Sequence, residues 1–298
     1  MNRVLVIVNG GFILSEKNLA GYEKRFDELI VVVLWRGFER VADLGCHPGD
    51  VLAVTKQTLL GSCIRPFYLL PFDGQGLSSQ QILMRLSHFL PGFTHLVSAQ
   101  EDLLLTARLM GLSTERTEEQ PIGMDGFSDT VSRALFITRA QPFHNGHVEF
   151  LQQMLRHHDE AILSIACADQ ALTRRDPATA GERMEMICAY IHPTCHKRVW
   201  VVPFQQTPYM MEKIKGIRWL MPRFTHLYST NPAHIVMGEA EQLSTCVPDI
   251  QAPNRATEIR ERLSKGDSIH GMVPDETEWK IYELGIDKRI SFLYSNSL

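Results

Sequence analysis

The chain repeats itself, and the repeat dictates what it folds into. Arg3-Val4-Leu5 aligns with Arg133-Ala134-Leu135, Asp27-Glu28-Leu29-Ile30 with Asp159-Glu160-Ala161-Ile162, and Pro71-Phe72 with Pro203-Phe204. Pro91-Gly92-Phe93-Thr94-His95-Leu96-Val97-Ser98 aligns with Pro222-Arg223-Phe224-Thr225-His226-Leu227-Tyr228-Ser229. The offset holds at about 130 to 132 residues throughout, which chance does not sustain, so the halves read as an internal duplication. The competing reading is two unrelated domains with similar strand spacing.

Within each half, short apolar runs alternate with helical patterns. Strands are expected at Val4–Val8, Leu29–Leu34, Phe67–Leu70 and His95–Ser98, and again at Ala134–Thr138, Ala161–Ala166, Val199–Val202 and His226–Ser229. Helices are expected at Glu16–Phe26, Asp50–Leu60 and Ser78–Leu90, then at His147–Arg156, Gly181–Ile191 and Tyr209–Leu220. Strands separated by helices need crossover connections, hence parallel sheets. The fold class expected is α/β, two Rossmann-like, doubly wound parallel-sheet domains over 1–112 and 131–298. The polar, acidic stretch 113–130, with Pro121, Gly123 and Gly126, has linker composition. Ser113-Thr114-Glu115-Arg116 resembles a phosphate-contact motif by its letters, but its register matches Ser244-Thr245 instead.

At 298 residues the chain suits two domains of middling size, and 44% hydrophobic content lets each bury a core. A net charge of −4 argues against bulk attraction to nucleic acid or an anionic membrane while permitting a local basic pocket. The six cysteines form no C-x-x-C pair and read as reduced thiols of a cytoplasmic protein. Cys188, His192, Cys195 and His196 are the nearest approach to a zinc cluster, and an incidental one. Val4–Val8 stops at Asn9-Gly10-Gly11, as a buried first strand does and a signal peptide does not.

The two copies differ where chemistry sits. After the strand Ala134–Thr138 comes Arg139-Ala140-Gln141-Pro142-Phe143-His144-Asn145-Gly146-His147, and then a helix. A loop entering a helix at this point of an α/β sheet offers free backbone N–H groups and the positive end of the helix dipole. His144 and His147, three apart, share a face of the first turn. Gly146 removes a side chain where a phosphate needs backbone approach. Either protonation state of an imidazole donates a hydrogen bond to a phosphate oxygen. A surface or capping role and a metal pair are the alternatives, the latter lacking an evident third ligand. The first copy has Ile13, Ser15 and Glu16 at the corresponding positions, so it reads as degenerate.

Gln-Pro-Phe-His-Asn-Gly-His resembles the H-x-G-H signature of the nucleotidylyltransferase superfamily. The surrounding sequence, about Arg133 to Ile290, is similar to the archaeal type of nicotinamide-mononucleotide (NMN) adenylyltransferase. The likeness includes Asp176-Pro177-Ala178-Thr179-Ala180-Gly181-Glu182-Arg183, Tyr228-Ser229-Thr230-Asn231-Pro232 and Ala256-Thr257-Glu258-Ile259-Arg260, with Val273-Pro274 and Ile286–Ile290 echoing the family's C-terminal helices. The resemblance implies AMP transfer from ATP to a small phosphorylated acceptor, with Mg²⁺ held mainly through the phosphates and no protein metal ligand. It implies catalytic roles for His144, His147 and Arg260. It implies substrate contacts from Arg139, Gln141, Phe143, Gly146, Arg175, Asn231 and Thr257, with Lys213 on the acceptor side. Gly181-Glu182-Arg183 is expected to serve helix entry and ion pairing.

Three departures matter. Thr138 and Ala140 replace residues of the family's G-R-F, Arg255-Ala256 replaces its S-G, and Lys213 and Gln206 stand where it has a nicotinamide-stacking Trp and an Asp. Trp219 fits a core role by its helical pattern. The chain thus reads as an adenylyltransferase for NMN or nicotinate mononucleotide. The alternatives are a transferase with another phosphate acceptor, or a nucleotide-binding regulatory protein without turnover. No nucleic-acid or membrane partner is expected. The copies are expected to pack as an intrachain pseudo-dimer or to form a homo-oligomer.

Overall fold

The computed structural model describes residues 1–37, 42–43, 45–124, 126–204, 210–250 and 255–295, with the side chains of 210–213 left aside. The chain divides into two compact units. The first comprises Met1–Ser87, Gly92–Thr130 and Lys215–Arg223; the second comprises His88–Pro91, Val131–Ile214 and Phe224–Leu298. No helix among the described residues is long and apolar enough to cross a membrane.

The first unit is built on β1 (Arg3–Asn9), β2 (Phe12–Ile13), β3 (Glu28–Trp35), β4 (Phe67–Asp73), β5 (His95–Ser98), β6 (Ser113–Arg116) and β7 (Gln120–Pro121). Its helices are α1 (Glu16–Arg25), α2 (Pro48–Ser62), α3 (Ser79–Phe89) and α4 (Glu101–Leu109). The second unit has β8 (Arg133–Thr138), β9 (Glu160–Ile165), β10 (Val199–Pro203), β11 (His226–Tyr228) and β12 (Ser244–Cys246). Its helices include α5 (Asn145–His157), α6 (Ala180–Thr194), α8 (Pro232–Ala240), α9 (Ala256–Lys265), α10 (Asp275–Glu283) and α11 (Ile286–Ser295); α7 (Met210–Leu220) straddles the division of the chain.

The main sheets have the same order, β4-β3-β1-β5-β6 and β10-β9-β8-β11-β12, and all their pairings are parallel. Their central strands are almost continuously buried, as expected of sheets covered on both faces. The segment read as linker begins inside the fold, since Ser113–Arg116 pairs with β5 as Ser244–Cys246 pairs with β11.

The duplication survives in individual contacts. Arg3 Nε donates to Glu28 at 2.5 Å, and Arg133 Nε to Glu160 at 2.5 Å. The Asn2 and Ser132 backbone N–H groups bond Asp27 and Asp159. The Thr94–His95 and Thr225–His226 hydroxyl–imidazole bonds both measure 2.8 Å. Helices α2 and α6 both open with a capping box, His47 with Asp50 and Thr179 with Glu182. At the second residue of each helix, Gly49 and Gly181 make room for backbone: a Cβ on Gly49 would lie 1.9 Å from the Met221 carbonyl oxygen, and one on Gly181 1.9 Å from that of Leu90. In each unit the glycine and the carbonyl it admits belong to that same unit. Chance resemblance does not reproduce ion pairs, caps and close approaches together.

At the carboxyl end of β1 the first unit is closed by its own chain. Both carboxylate oxygens of Glu119 are engaged by Asn9, one by its backbone N–H at 3.1 Å and one by its side-chain amide at 2.6 Å. Gln100 donates to Asn9 Oδ1 at 2.6 Å. Trp35, fully buried, lies over Gly10, where a Cβ would come within 2.0 Å of the indole. The β2–β7 pair, absent from the second sheet's order and not foreseen in the sequence, completes this closure.

In the second unit the C-terminal helices cover α6 through a cluster of Ala178, Met186, Ile259, Leu263, Ile281 and Ile290 with others. The expected ion-pair role of the Gly181-Glu182-Arg183 stretch is met by Glu182, which takes both Nη atoms of Arg289 at 2.6 and 2.8 Å.

Candidate active site

Strand β8 sits inside its sheet, with β9 and β10 on one side and β11 and β12 on the other. The chain therefore leaves its carboxyl end at the point where the strand order reverses, the place where open α/β sheets form a crevice. The loop from Arg139 to His144 emerges there. Helix α5 begins beyond it, pinned to its unit by Gly146, Phe150, Leu151 and Met154 on one face.

Two non-glycine residues at this edge hold left-handed backbone, Ala140 at φ 48° and Cys167 at φ 52°. Such a conformation costs a residue with a Cβ about 1 kcal/mol and persists only where the surroundings enforce it. Arg183 supplies the enforcement. It is fully buried and donates to the carbonyls of Arg139 (3.2 Å), Ala166 (2.8 Å), Cys167 (2.9 Å), Gln170 (3.3 Å) and Thr179 (3.3 Å). Burial pulls its pKa down to about 10, which still leaves it a cation at neutral pH. The sequence assigned Arg183 to ion pairing; its buried fork of donors instead ties together the loops that follow β8 and β9.

The rest of the loop is clamped as tightly. Gln141, also buried, pairs its side-chain amide with the Ala178 backbone, Nε2 donating to the carbonyl at 2.8 Å and Oε1 accepting the N–H at 3.1 Å. Its own carbonyl accepts Arg260 Nη1 at 2.7 Å, and the Gln141–Pro142 peptide is cis. Arg260 Nη2 donates to the Thr257 hydroxyl at 3.3 Å, while its buried Nε has no partner among the described residues. Arg139 directs one nitrogen at both oxygens of buried Asp176, at 2.7 and 2.9 Å. Asn145 holds the Gly271 and Met272 carbonyls.

The imidazoles of His144 and His147 lie together, with ring centroids 3.8 Å apart. The His144 backbone N–H donates to His147 Nδ1 at 3.1 Å, so Nδ1 carries no proton. The His147 proton is therefore on Nε2, 2.8 Å from the Thr138 hydroxyl, which also accepts the Ala140 N–H at 3.1 Å. Fully buried Phe143 stacks on His147 at 5.4 Å and 10°, with Phe136 at 5.9 Å. Burial drives the His144 pKa down to about 4; burial, then the neighbouring His144, drives that of His147 well below 6.5. Both rings are neutral at neutral pH. Gly146 is needed for the ring beside it: a Cβ there would stand 3.0 Å from His144 Cε1 and 3.1 Å from Nδ1.

The structure thus gathers two groups along one loop, His144, Gly146, His147 and Phe143 in one and Gln141, Arg260 and Thr257 in the other, with Arg139 of the same loop paired to Asp176. Within them, Phe143 and Gln141 are buried supports, standing behind the exposed surface. Arg175 is exposed, without a partner among the described residues. Asn231 caps α8 after β11, accepting the Ala233 N–H at 3.0 Å. Neither touches these groups. The Lys213 side chain and Gln206 lie outside the described residues. Trp219, expected in the core, is 45% exposed and belongs to the first unit, its ring edge-on to His47. Thr138 was legible only as a lost glycine, because one letter does not reveal which ring its hydroxyl will meet.

Residues 135–262 match the cytidylyltransferase-like family. The chain is 31% identical over 163 residues to a nicotinamide-nucleotide adenylyltransferase of Methanospirillum hungatei, covering 54% of this chain and 93% of that protein. It is 30% identical over 162 residues to one of Picrophilus torridus, covering 53% and 95%. Among solved structures, a bifunctional NMN adenylyltransferase/ADP ribose pyrophosphatase from Francisella tularensis matches with a TM-score of 0.47 and 16% identity, over 56% of this chain and 52% of that one.

Proposed function

The chain belongs to the nicotinamide-nucleotide adenylyltransferase family, and from that premise we propose that it transfers AMP from ATP to NMN or nicotinate mononucleotide, releasing pyrophosphate. In this reaction an oxygen of the acceptor's phosphate attacks the α-phosphorus of ATP. A new P–O–P linkage forms, the α–β bridging bond breaks, and its electron pair leaves on pyrophosphate. No covalent enzyme intermediate is needed; the protein supplies in-line placement and neutralises developing charge.

The observation that carries the reading is the pair of adjacent neutral imidazoles at the start of α5, beside a loop whose carbonyl holds Arg260. The helix start offers free N–H groups and a partial positive charge to a polyphosphate. His144 serves as an uncharged hydrogen-bond donor to it. The buried Nε of Arg260 is without a partner among the described residues, and partly exposed Arg139 keeps two of its three guanidinium nitrogens free of the Asp176 pair, so Arg139 can meet a phosphate without abandoning its structural contact. Thr257, at the start of α9, offers its hydroxyl and backbone nearby. Arg175 and Asn231 are assigned to outer contacts with the ligand, and Lys213 to the acceptor side. Mg²⁺, which would be held mainly by the ATP phosphates, would supply neutralisation of the developing charge.

The test is direct. Protein incubated with ATP, Mg²⁺ and NMN yields NAD and pyrophosphate, and His147→Ala abolishes both. Pyrophosphate release across a panel of phosphate acceptors identifies the substrate. Thermal stabilisation by ATP with no turnover on any acceptor would instead leave a nucleotide-binding protein.

A further inference from the structure

The histidine loop contains a group that the sequence pattern does not assign. Thr138 ends β8 where the family's motif has glycine, and it is 8% exposed. Its hydroxyl oxygen takes two hydrogen bonds, from His147 Nε2 at 2.8 Å and from the Ala140 backbone at 3.1 Å. The first bond faces the one imidazole nitrogen that the backbone leaves protonated. The second stabilises a residue in left-handed backbone. A single hydroxyl therefore fixes both the ring and the bend of the loop that presents it.

We propose that Thr138 is a positioning residue for this site: its hydroxyl holds the Nε2–H of His147 and the Ala140 amide, and so fixes the imidazole against which the His144 ring rests. The inference rests on the adenylyl-transfer reading, because only there does the position of the ring matter for turnover. Several observations converge on it. With Nδ1 accepting the His144 N–H and Nε2–H donating to Thr138, His147 has a partner on each nitrogen, and its rotation about the Cβ–Cγ bond is blocked on both sides. Phe143 stacked below leaves the ring plane no freedom to tilt. Protonating Nδ1 would point a hydrogen at the His144 N–H, so the same geometry keeps the ring neutral. Both acceptor sites of the Thr138 oxygen are filled, and its own proton remains to be donated. A glycine at 138 would remove the only side-chain partner described for Nε2 and release the Ala140 amide with it.

The test compares Thr138→Ser, which keeps the hydroxyl, with Thr138→Val, which keeps the shape. Pyrophosphate release from ATP and NMN is measured in the full chain with Mg²⁺. The His147 Nε2–H is followed by ¹⁵N-resolved proton NMR, and folding by thermal unfolding. Serine is expected within about twofold of the parent in kcat, with the Nε2–H still slow to exchange. Valine is expected to lower kcat by roughly tenfold, the scale of one lost hydrogen bond, with a smaller change in the KM for ATP and fast exchange at Nε2. A valine variant with parental kcat and a protected Nε2–H would overturn the proposal. So would a serine variant as impaired as valine, since the hydroxyl would then be irrelevant. If the parent protein releases no pyrophosphate, the adenylyl-transfer reading falls, while the Nε2–H exchange still decides whether Thr138 holds the ring.

Discussion

Neutral histidines give this protein an acid limit. His144 is drawn to about 4 by burial, and His147 is lowered in the same direction, whereas an unfolded imidazole titrates near 6.5. Between those values the unfolded chain binds protons that the fold refuses. Stability therefore rises with pH across that window: it is complete above about 6.5 and is lost as pH falls toward about 4. His192, pulled to about 4 by burial and then by His196, adds to the same slope. Midpoints of thermal unfolding between pH 4 and 7 should fall with acidity, and His144→Gln should flatten the curve; an unchanged slope in that variant would mean the ring is solvated. At this scale the sequence was informative about identity and poor about partners. His144, His147 and Arg260 stood out by their spacing and by resemblance. That Gln141 would turn its amide to Ala178, or that Phe143 would be wholly buried beneath an imidazole, depends on the path of a loop that no local propensity encodes.

At the level of elements, strand positions were legible to within one to three residues, because fully buried parallel strands leave continuous apolar runs. The short pieces were not. β2 and β7 have too few residues to carry a pattern, and α4 and α8 were passed over as connections. Also illegible was the way loops are held, which falls to a residue distant from them in sequence. Arg183, one turn into α6, binds the loops that follow β8 and β9. Arg183→Met should strip several buried carbonyls of their donor and destabilise the fold by on the order of 3 kcal/mol or more, read from urea unfolding. Gly181→Ala tests a different constraint of the same helix, since its Cβ would fall 1.9 Å from a carbonyl oxygen. It should cost several kcal/mol by the same measurement, on the order of a severe overpacking defect, and Gly49→Ala should match it. A neutral outcome at either glycine would mean that the close approach relaxes freely.

For the whole molecule, the duplication was readable from sequence, and the shared strand order agrees with it. Only the second copy carries His144, Gly146 and His147. In the first unit Glu119 already occupies the Asn9 backbone N–H at the carboxyl end of the sheet, and Trp35 fills the space over Gly10. Calorimetric titration with ATP and Mg²⁺ should accordingly give one nucleotide per chain; two equivalents would show that the first copy still opens. The sequence halves and the compact units are not the same objects. The unit bearing the histidines includes His88–Pro91, and Lys215–Arg223 belongs to the unit without them. The Leu90 carbonyl seated against Gly181, and the Met221 carbonyl seated against Gly49, are the marks of that trade.

A gene that doubles usually frees one product to decay or vanish. Here each half of the sequence has lent the other a piece of main chain, so deleting either leaves the survivor with an unfilled notch at the start of a helix. A truncated gene holding only residues 131–298, which lacks the Leu90 carbonyl seated against Gly181, should therefore yield a less stable protein than the intact chain.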